Sequence, residues 1–396
     1  MKHSLLIIVS ALAALAAPGA AVSDPVVTVV MRDLDSPRGL AFGPEGALYV
    51  AEAGRGGAGL ENPFCFTGPF GGILCYGPTG AVSRLWHGIQ ERVATGLPSV
   101  AFPNGNRGIG PHDIAMLGVG SAHVTIGLEA SPALRDEFPE LVGLGWLVHI
   151  AASGEWRFVT DIAAFEAAHN PDGRLQDDGI TPFLDSNPYG LLAEPGRHVV
   201  TDAGGNSLLS VDANGDISLL AVFHSRGSNP PRPSFAPLPF DQFTDSVPTA
   251  VVVGPDGAYY VGELTGVPFT DTRANVYRVV PGEAPPLFLI GDACLTGFKA
   301  IIDMAFDGEG NLYVLQHSTG PVMLVGPGVL IRVTPDKTQP DICAQYQAGA
   351  RTTVLGGLTR PTSVAVGPDG ALYVSNRGTS RGDAPGGGGE VLRIEP

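Results

Sequence analysis

The chain has 396 residues, 44% hydrophobic and only 16% charged, with 55 Gly, 35 Pro and a formal net charge of −16. Its three lysines (Lys2, Lys299, Lys337) leave no basic patch to neutralise phosphates, which excludes a nucleic-acid partner. The apolar share argues against disorder, and turn-formers interleaved with Val, Leu and Tyr point to many short strands.

Residues 1–23 carry a basic start, an apolar run over 5–17 and then small residues, the pattern of a secretory signal peptide with cleavage after Ala21 or Ser23. No Cys follows the run to anchor a lipid, and no later segment reaches the roughly 18 apolar residues of a membrane span. The mature chain, 24–396, is expected to be one exported domain, secreted or periplasmic, soluble and monomeric.

A first strand, "VVTVVMRDL", covers 26–34, and after it one phrase recurs. It reads "SPRGLAFGPEGALYVAE" at 36–52, "NPYGLLAEPGRHVVTD" at 187–202, "VPTAVVVGPDGAYYVGE" at 247–263, "AIIDMAFDGEGNLYVLQ" at 300–316 and "RPTSVAVGPDGALYVSN" at 360–376, with a weaker copy at 110–128. In each, an apolar strand meets a Gly-Pro-Asp-Gly type of turn and a second strand, a strong hairpin signal. A third strand follows ("GAVSRLW", "NVYRVVPGE", "EVLRIEP"), often with a fourth ("ISLLAVF", "RTTVLGGL"). About six four-stranded units of roughly 50–75 residues indicate an all-β, six-bladed β-propeller. A solenoid has shorter repeats and a sandwich does not repeat its sequence. The chain ends on a third strand, so 26–34 is expected to supply the missing fourth strand of the last blade and close the ring.

Antiparallel geometry places the linker into strand one and the loop leaving strand two on one rim. The long insertions, 53–78, 129–145, 224–246, 264–274, 317–328 and 377–389, are expected to open there, with short turns on the other rim. That rim carries Glu52, Asp202, Glu263, Gln316 and Asn376 at the end of strand two, followed by His317 and Arg377. Near the start of strand one it carries Arg38, His112 and Tyr189, with Asp113 and Asp303 at the next position. Each residue alone reads as a turn cap or a hydrated surface group. Together, the five acids Glu52, Asp113, Asp202, Glu263 and Asp303 suggest a divalent cation, a cationic ligand or raised pKa values. Calcium is the candidate cofactor, with Glu52, Asp202 and Glu263 as its ligands, although no loop has the Asp-x-Asp-x-Asp-Gly spacing. The stretch "DIAAFEAAHNPDG" (161–173) is expected to form a short helix on this rim, stopped by "NPDG".

Cys65, Cys75, Cys294 and Cys343 suit an oxidising compartment. Four cysteines allow three pairings, and the neighbours Cys65–Cys75 and Cys294–Cys343 are the preferred set; no Cys-x-x-Cys supports zinc.

"SPRGLAFGPEGALYVAEAG", "GPHDIA", "AAFEAAHNPDG" with "DSNPYGL", and "TSVAVGPDGALYVSNRG" together resemble the ScyD/ScyE family of exported bacterial proteins, over essentially the whole mature chain. The resemblance implies a propeller of the TolB-like or NHL-like kind outside the cytoplasm, and no catalytic residue. "GPDGALYV" alone is shared with gluconolactonase-like enzymes, but those place a metal-binding Glu where this chain has Pro37-Arg38-Gly39. The function expected is a binding module whose loop-rich rim takes a small molecule or an extracytoplasmic protein. A cation-dependent hydrolytic or oxidative enzyme at the acidic mouth and an envelope scaffold are the alternatives.

Overall fold

Every residue of the strand Leu48–Glu52 is buried. Successive side chains of a strand point to opposite faces, so such a strand must be covered on both sides. Leu48 and Val50 pack with Met31, Tyr373 and Val391, while Tyr49 and Ala51 pack with Ile114, Val124 and Val148. The first set joins the strand to the last repeat and to the N-terminal strand, the second to the next repeat along the chain. Two-faced burial of a repeated strand therefore forces the units into a ring.

A computed structural model describes residues 24–69, 71–176, 180–223, 245–266, 274–283, 286–288, 292–320, 326–385 and 387–395. It shows a six-bladed β-propeller. Blade 1 comprises Pro37–Phe42, Leu48–Glu52, Ile73–Trp86 and Ile89–Ala101. Blade 2 comprises Pro111–Gly118, Ser121–Ile126, Trp146–Ile150 and Trp156–Asp161. Blade 3 comprises Pro188–Glu194, Arg197–Asp202, Ser207–Asp212 and Ile217–Phe223. Blade 4 comprises Pro248–Val253, Tyr259–Glu263, Ala274–Val279 and Leu295–Phe298. Blade 5 comprises Ile301–Phe306, Leu312–Gln316, Gly328–Thr334 and Ala350–Leu358. Blade 6 comprises Ser363–Val366, Leu372–Asn376, Gly389–Glu395 and, from the start of the chain, Val26–Leu34. Val26 lies opposite Glu395 and Leu34 opposite Gly389, so the N-terminal strand closes the ring as expected.

Apolar side chains collect at the seams. The six hydrophobic clusters correspond to the six junctions between neighbouring blades, including the junction of blade 6 with blade 1. The expectation of short turns throughout the second rim is corrected by blades 4 and 5. Their third-to-fourth-strand connections are long, and the second carries the helix Ile342–Gln347. The Cys294–Cys343 disulfide ties these two connections, so a covalent bond stands in where the strand Leu295–Phe298 is short. The other disulfide, Cys65–Cys75, joins facing residues of the hairpin that Phe64–Thr67 makes with the long third strand of blade 1. Among the described residues no helix is long and apolar enough to cross a membrane. Residues 1–23 and most of the 224–246 insertion lie outside the described residues.

Candidate functional site

The residue ending each second strand has one task in five blades. Glu52 accepts the Asp35 N–H at 2.6 Å, and Asp202 accepts the Asn187 N–H and the Ser186 hydroxyl, both at 2.7 Å. Glu263 accepts the Ser246 hydroxyl at 2.7 Å, Gln316 the Lys299 N–H at 2.5 Å, and Asn376 the Thr359 N–H at 2.8 Å. Every donor lies in the linker that enters the first strand of the same blade. In four of these linkers the next residue has left-handed backbone: Ser36 (φ 51°), Val247 (φ 54°), Ala300 (φ 37°) and Arg360 (φ 47°). That turn directs polar groups away from any strand partner, and a buried group without one costs about 1–3 kcal/mol. The position therefore needs an acceptor oxygen, not a charge, which explains why Glu, Asp, Gln and Asn alternate there. Glu52 is further engaged by Arg92 at 2.6 and 2.9 Å. Glu52, Asp202 and Glu263 stand in three separate blades, each bonded to its own linker.

Residues near the start of strand one, and His317 just after the second strand of blade 5, stitch blades together. His112 Nδ1–H donates to the Pro188 carbonyl at 3.1 Å and His317 Nδ1–H to that of Pro361 at 2.8 Å. Thr249 and Thr362 donate to the carbonyls of Ile301 and Pro37. Asp113 accepts the Leu191 N–H at 2.7 Å, and Asp303 accepts the Val364 N–H at 2.9 Å with the Ser363 hydroxyl. Each bond runs from one blade to the next. Gly39 occupies the equivalent place in blade 1, where a Cβ would overlap the Asp113 carboxylate.

These residues do converge electrostatically. Burial pushes the Asp113 carboxyl up, and the charge of Asp303 adds to it; burial also raises Asp303, to about 6. Burial lowers His112 to about 3, with Arg38 adding to it, and His317 to about 4, so both imidazoles are neutral. Tyr189, its ring 4.5 Å from that of His112, is raised to about 12 by burial. Arg38 is 8% exposed and donates to the Gly108 carbonyl at 2.7 Å, yet its Nε has no partner among the described residues. Arg377 lies 3.4 Å from Glu390.

A second cluster sits on the loop-rich rim between blades 2 and 3. The helix Ile162–His169 is capped by Asp161, which accepts the Ala164 N–H at 2.9 Å, and ends at Asn170 in the left-handed region (φ 43°). The NPDG stop thus acts as expected. This helix delivers Glu166, 2% exposed, with neither carboxyl oxygen hydrogen-bonded among the described residues. Gly205 packs so closely beneath it that a Cβ would lie 2.6 Å from Glu166 Oε2. Burial raises Glu166 to about 9, with Asp202, Asp172 and Asp185 adding to the shift. Asp172, holding the Asn206 amide at 2.8 Å, is raised to about 6 by burial, and Asp185 to about 7. One buried oxygen of Asp185, Oδ1, also has no partner among the described residues. Arg174 partly offsets these acids; it lies 3.3 Å from Asp245 and over the Phe183 ring at 4.1 Å. Sequence reasoning singles out the helix and its stop but not Glu166 as a site residue. The available signal is a Glu four residues before the Asn-Pro-Asp-Gly stop, on the helix face shared with Ile162 and Ala163, the other buried residues of that helix. Among the described residues, no three His, Cys, Asp or Glu side chains converge, as they stand, on a point a metal ion would occupy.

No protein-family model and no curated protein matches the chain. Among solved structures it is similar to a putative oxidoreductase (glucose dehydrogenase) of Thermus thermophilus. That likeness has 18% identity and a TM-score of 0.53 over 93% of this chain and 99% of that one. It is also similar to a PQQ-bound aldose sugar dehydrogenase of Streptomyces coelicolor (13% identity, TM-score 0.48, 94% and 98% covered). Regucalcin, a calcium-binding protein of Agrobacterium tumefaciens, follows at 14% identity and TM-score 0.45, with 94% and 95% covered. The Thermus likeness shows a shared fold, and at this identity a propeller's chemistry does not travel with its fold.

Proposed function

We propose that the protein is an extracytoplasmic binding module that seats a cation, Ca2+ being the simplest, in the carboxylate pocket around Glu166 on its loop-rich rim. The carrying observation is Glu166 itself, almost wholly buried with both oxygens unpartnered among the described residues. A buried carboxyl without hydrogen bonds is costly whether neutral or charged, and a hard cation with oxygen ligands removes both penalties. Held by no hydrogen bond among the described residues, both oxygens of the Glu166 carboxyl have lone pairs to offer an ion. Asp185 Oδ1 and the remaining lone pairs of Asp172 lie around it. The acids at the strand ends give way to this set because their oxygens already hold the linkers. Export is supported by the apolar run over 5–17 and the two disulfides, and it agrees with the resemblance to the ScyD/ScyE proteins.

Thermal melting tests this. Millimolar CaCl2 is expected to raise the Tm of the wild-type chain and to leave Glu166→Gln unmoved, while Glu263→Gln, which keeps an acceptor oxygen, still responds. No shift in the wild type, or an equal shift in Glu166→Gln, overturns the proposal. A cation-dependent enzyme is the second reading, favoured by Asp113 and Asp303 facing one another across the axis beside Arg38 and Tyr189. In that case Asp113→Asn with Asp303→Asn abolishes any turnover found and leaves calcium uptake intact.

A further inference from the structure

The second rim carries a break in the repeat. In four blades the second strand places a Tyr directly opposite an Arg of the third: Tyr49 with Arg84, Tyr260 with Arg278, Tyr313 with Arg332, and Tyr373 with Arg393. An acid from the first turn completes each set. Tyr49 donates to Glu45, Tyr313 to Asp307 and Tyr373 to Asp369, while Arg278 donates to Asp256. Blade 2 writes His123 and His149 at these two facing positions, and its turn, Gly118–Ser121, contains no acid. The neighbouring blade adds His198, on the face turned toward blade 2.

The three imidazoles pack together at the seam. Ring centroids lie 5.2 Å apart for His123 and His149 and 4.0 Å apart for His123 and His198. His123 is 8% exposed, and among the described residues its Nδ1 has no hydrogen-bond partner, nor has Nε2 of His198. His149 Nε2 faces the Ser121 hydroxyl at 3.2 Å, and the residue lines a hollow of about 640 Å3 together with Glu155, Trp156 and Arg157. Blades 1, 4, 5 and 6 fill these positions with the Tyr–Arg–acid set and blade 3 with Val199 opposite Ser210, so blade 2 alone writes two imidazoles there. Locally unsupported departures of this kind are expected where function intervenes.

We propose that His123, His149 and His198 form a site for a borderline transition-metal ion of the Zn2+, Ni2+ or Cu2+ class, reached through the hollow beside His149. Imidazole suits these metals, and a calcium seat would need oxygens instead. The rings do not converge as they stand, so binding turns them about χ2, a torsion that is broad for His. The cross-strand pair supplies two ligands at the spacing of facing strands and the next blade supplies the third. Metal binding needs neutral imidazole. Burial lowers His123 to about 3, with His198, His149 and Arg157 adding to the shift, and burial lowers His149 and His198 too.

Titration of the tag-free full chain with NiCl2 and ZnCl2 by calorimetry, with the visible spectrum of a Co2+ complex as a second readout, tests this. One ion per chain is expected, with affinity at least tenfold weaker in His149→Gln and in His198→Gln. The double variant His123→Tyr with His149→Arg writes into blade 2 the Tyr–Arg pair of four other blades, so it is expected to fold and to lose the Co2+ spectrum. Calcium uptake at the opposite rim is expected to be unchanged in all three. Absence of saturable binding by the wild-type chain, or wild-type affinity in any folded variant, overturns the proposal.

Discussion

At the scale of single residues, burial without partners is the informative quantity. Glu166 has its folded-state pKa raised from 4.5 to about 9. The folded chain thus retains a proton the unfolded chain loses, so this contribution to stability is fully present below pH 4.5 and is lost as pH rises toward 9. Gln copies the protonated acid, so Glu166→Gln is expected to match wild type near pH 4. It gains on wild type by at most about 1.4 kcal/mol per pH unit above that. Melting curves across pH 4–9 without added metal check it; parallel curves contradict it. His112 and His317 act in the opposite sense, with folded pKa values lowered from 6.5 to about 3 and about 4. Their contribution is present above pH 6.5 and is lost as pH falls toward those values, because the unfolded chain then takes up protons the folded chain cannot. His317→Asn, which keeps an N–H for the Pro361 carbonyl, is expected to flatten the acid limb of the stability profile.

These residues also mark what the sequence conceals. The acids Glu52, Asp202 and Glu263 are visible as a repeated position, but their task is not, because an acceptor oxygen for a linker N–H and a cation ligand require the same side chains. Only Gln316 and Asn376 in the same column distinguish the two, since neither brings a charge. Glu166 is concealed differently: Asp172 lies in its own stretch, but the neighbouring charges of Asp185 and Asp202 come from other segments, and spacing along the chain says nothing of their meeting.

At the scale of elements, hairpins are legible in the sequence and connections are not. The Gly-Pro-Asp-Gly turns and alternating apolar strands are local features, and the strand 26–34 is assignable because the last repeat lacks one. The long connections on the second rim escape because the apolar strand Leu295–Phe298 is too short to announce a fourth strand. The Cys294–Cys343 bond closes a 49-residue separation, worth up to about 4 kcal/mol by loop-closure entropy. Replacing both cysteines with Ser is expected to lower denaturant stability by a large part of that, and more than removal of Cys65–Cys75, whose separation is 10. Equal losses contradict this. Asp303→Ala removes the acceptor for the Val364 N–H and the Ser363 hydroxyl between blades 5 and 6, and is expected to cost about 1–3 kcal/mol in the same assay.

At the scale of the molecule, a ring with six equivalent seams makes every departure from equivalence meaningful. Most polar residues of the rim serve the ring itself, as linker acceptors or as stitches from blade to blade. What remains is concentrated around blades 2 and 3: the carboxylate pocket on one rim and the three imidazoles on the other. The central claim is that Glu166 is the seat of a cation and not a structural acid. Calorimetric titration with CaCl2 at pH 7 in two buffers of different ionisation enthalpy measures it most directly. Binding must displace the proton that Glu166 carries at that pH. The expected result is one site with proton release that disappears above pH 9 and binding that is lost in Glu166→Gln. Binding with no proton release at pH 7, or binding that survives that substitution, contradicts it.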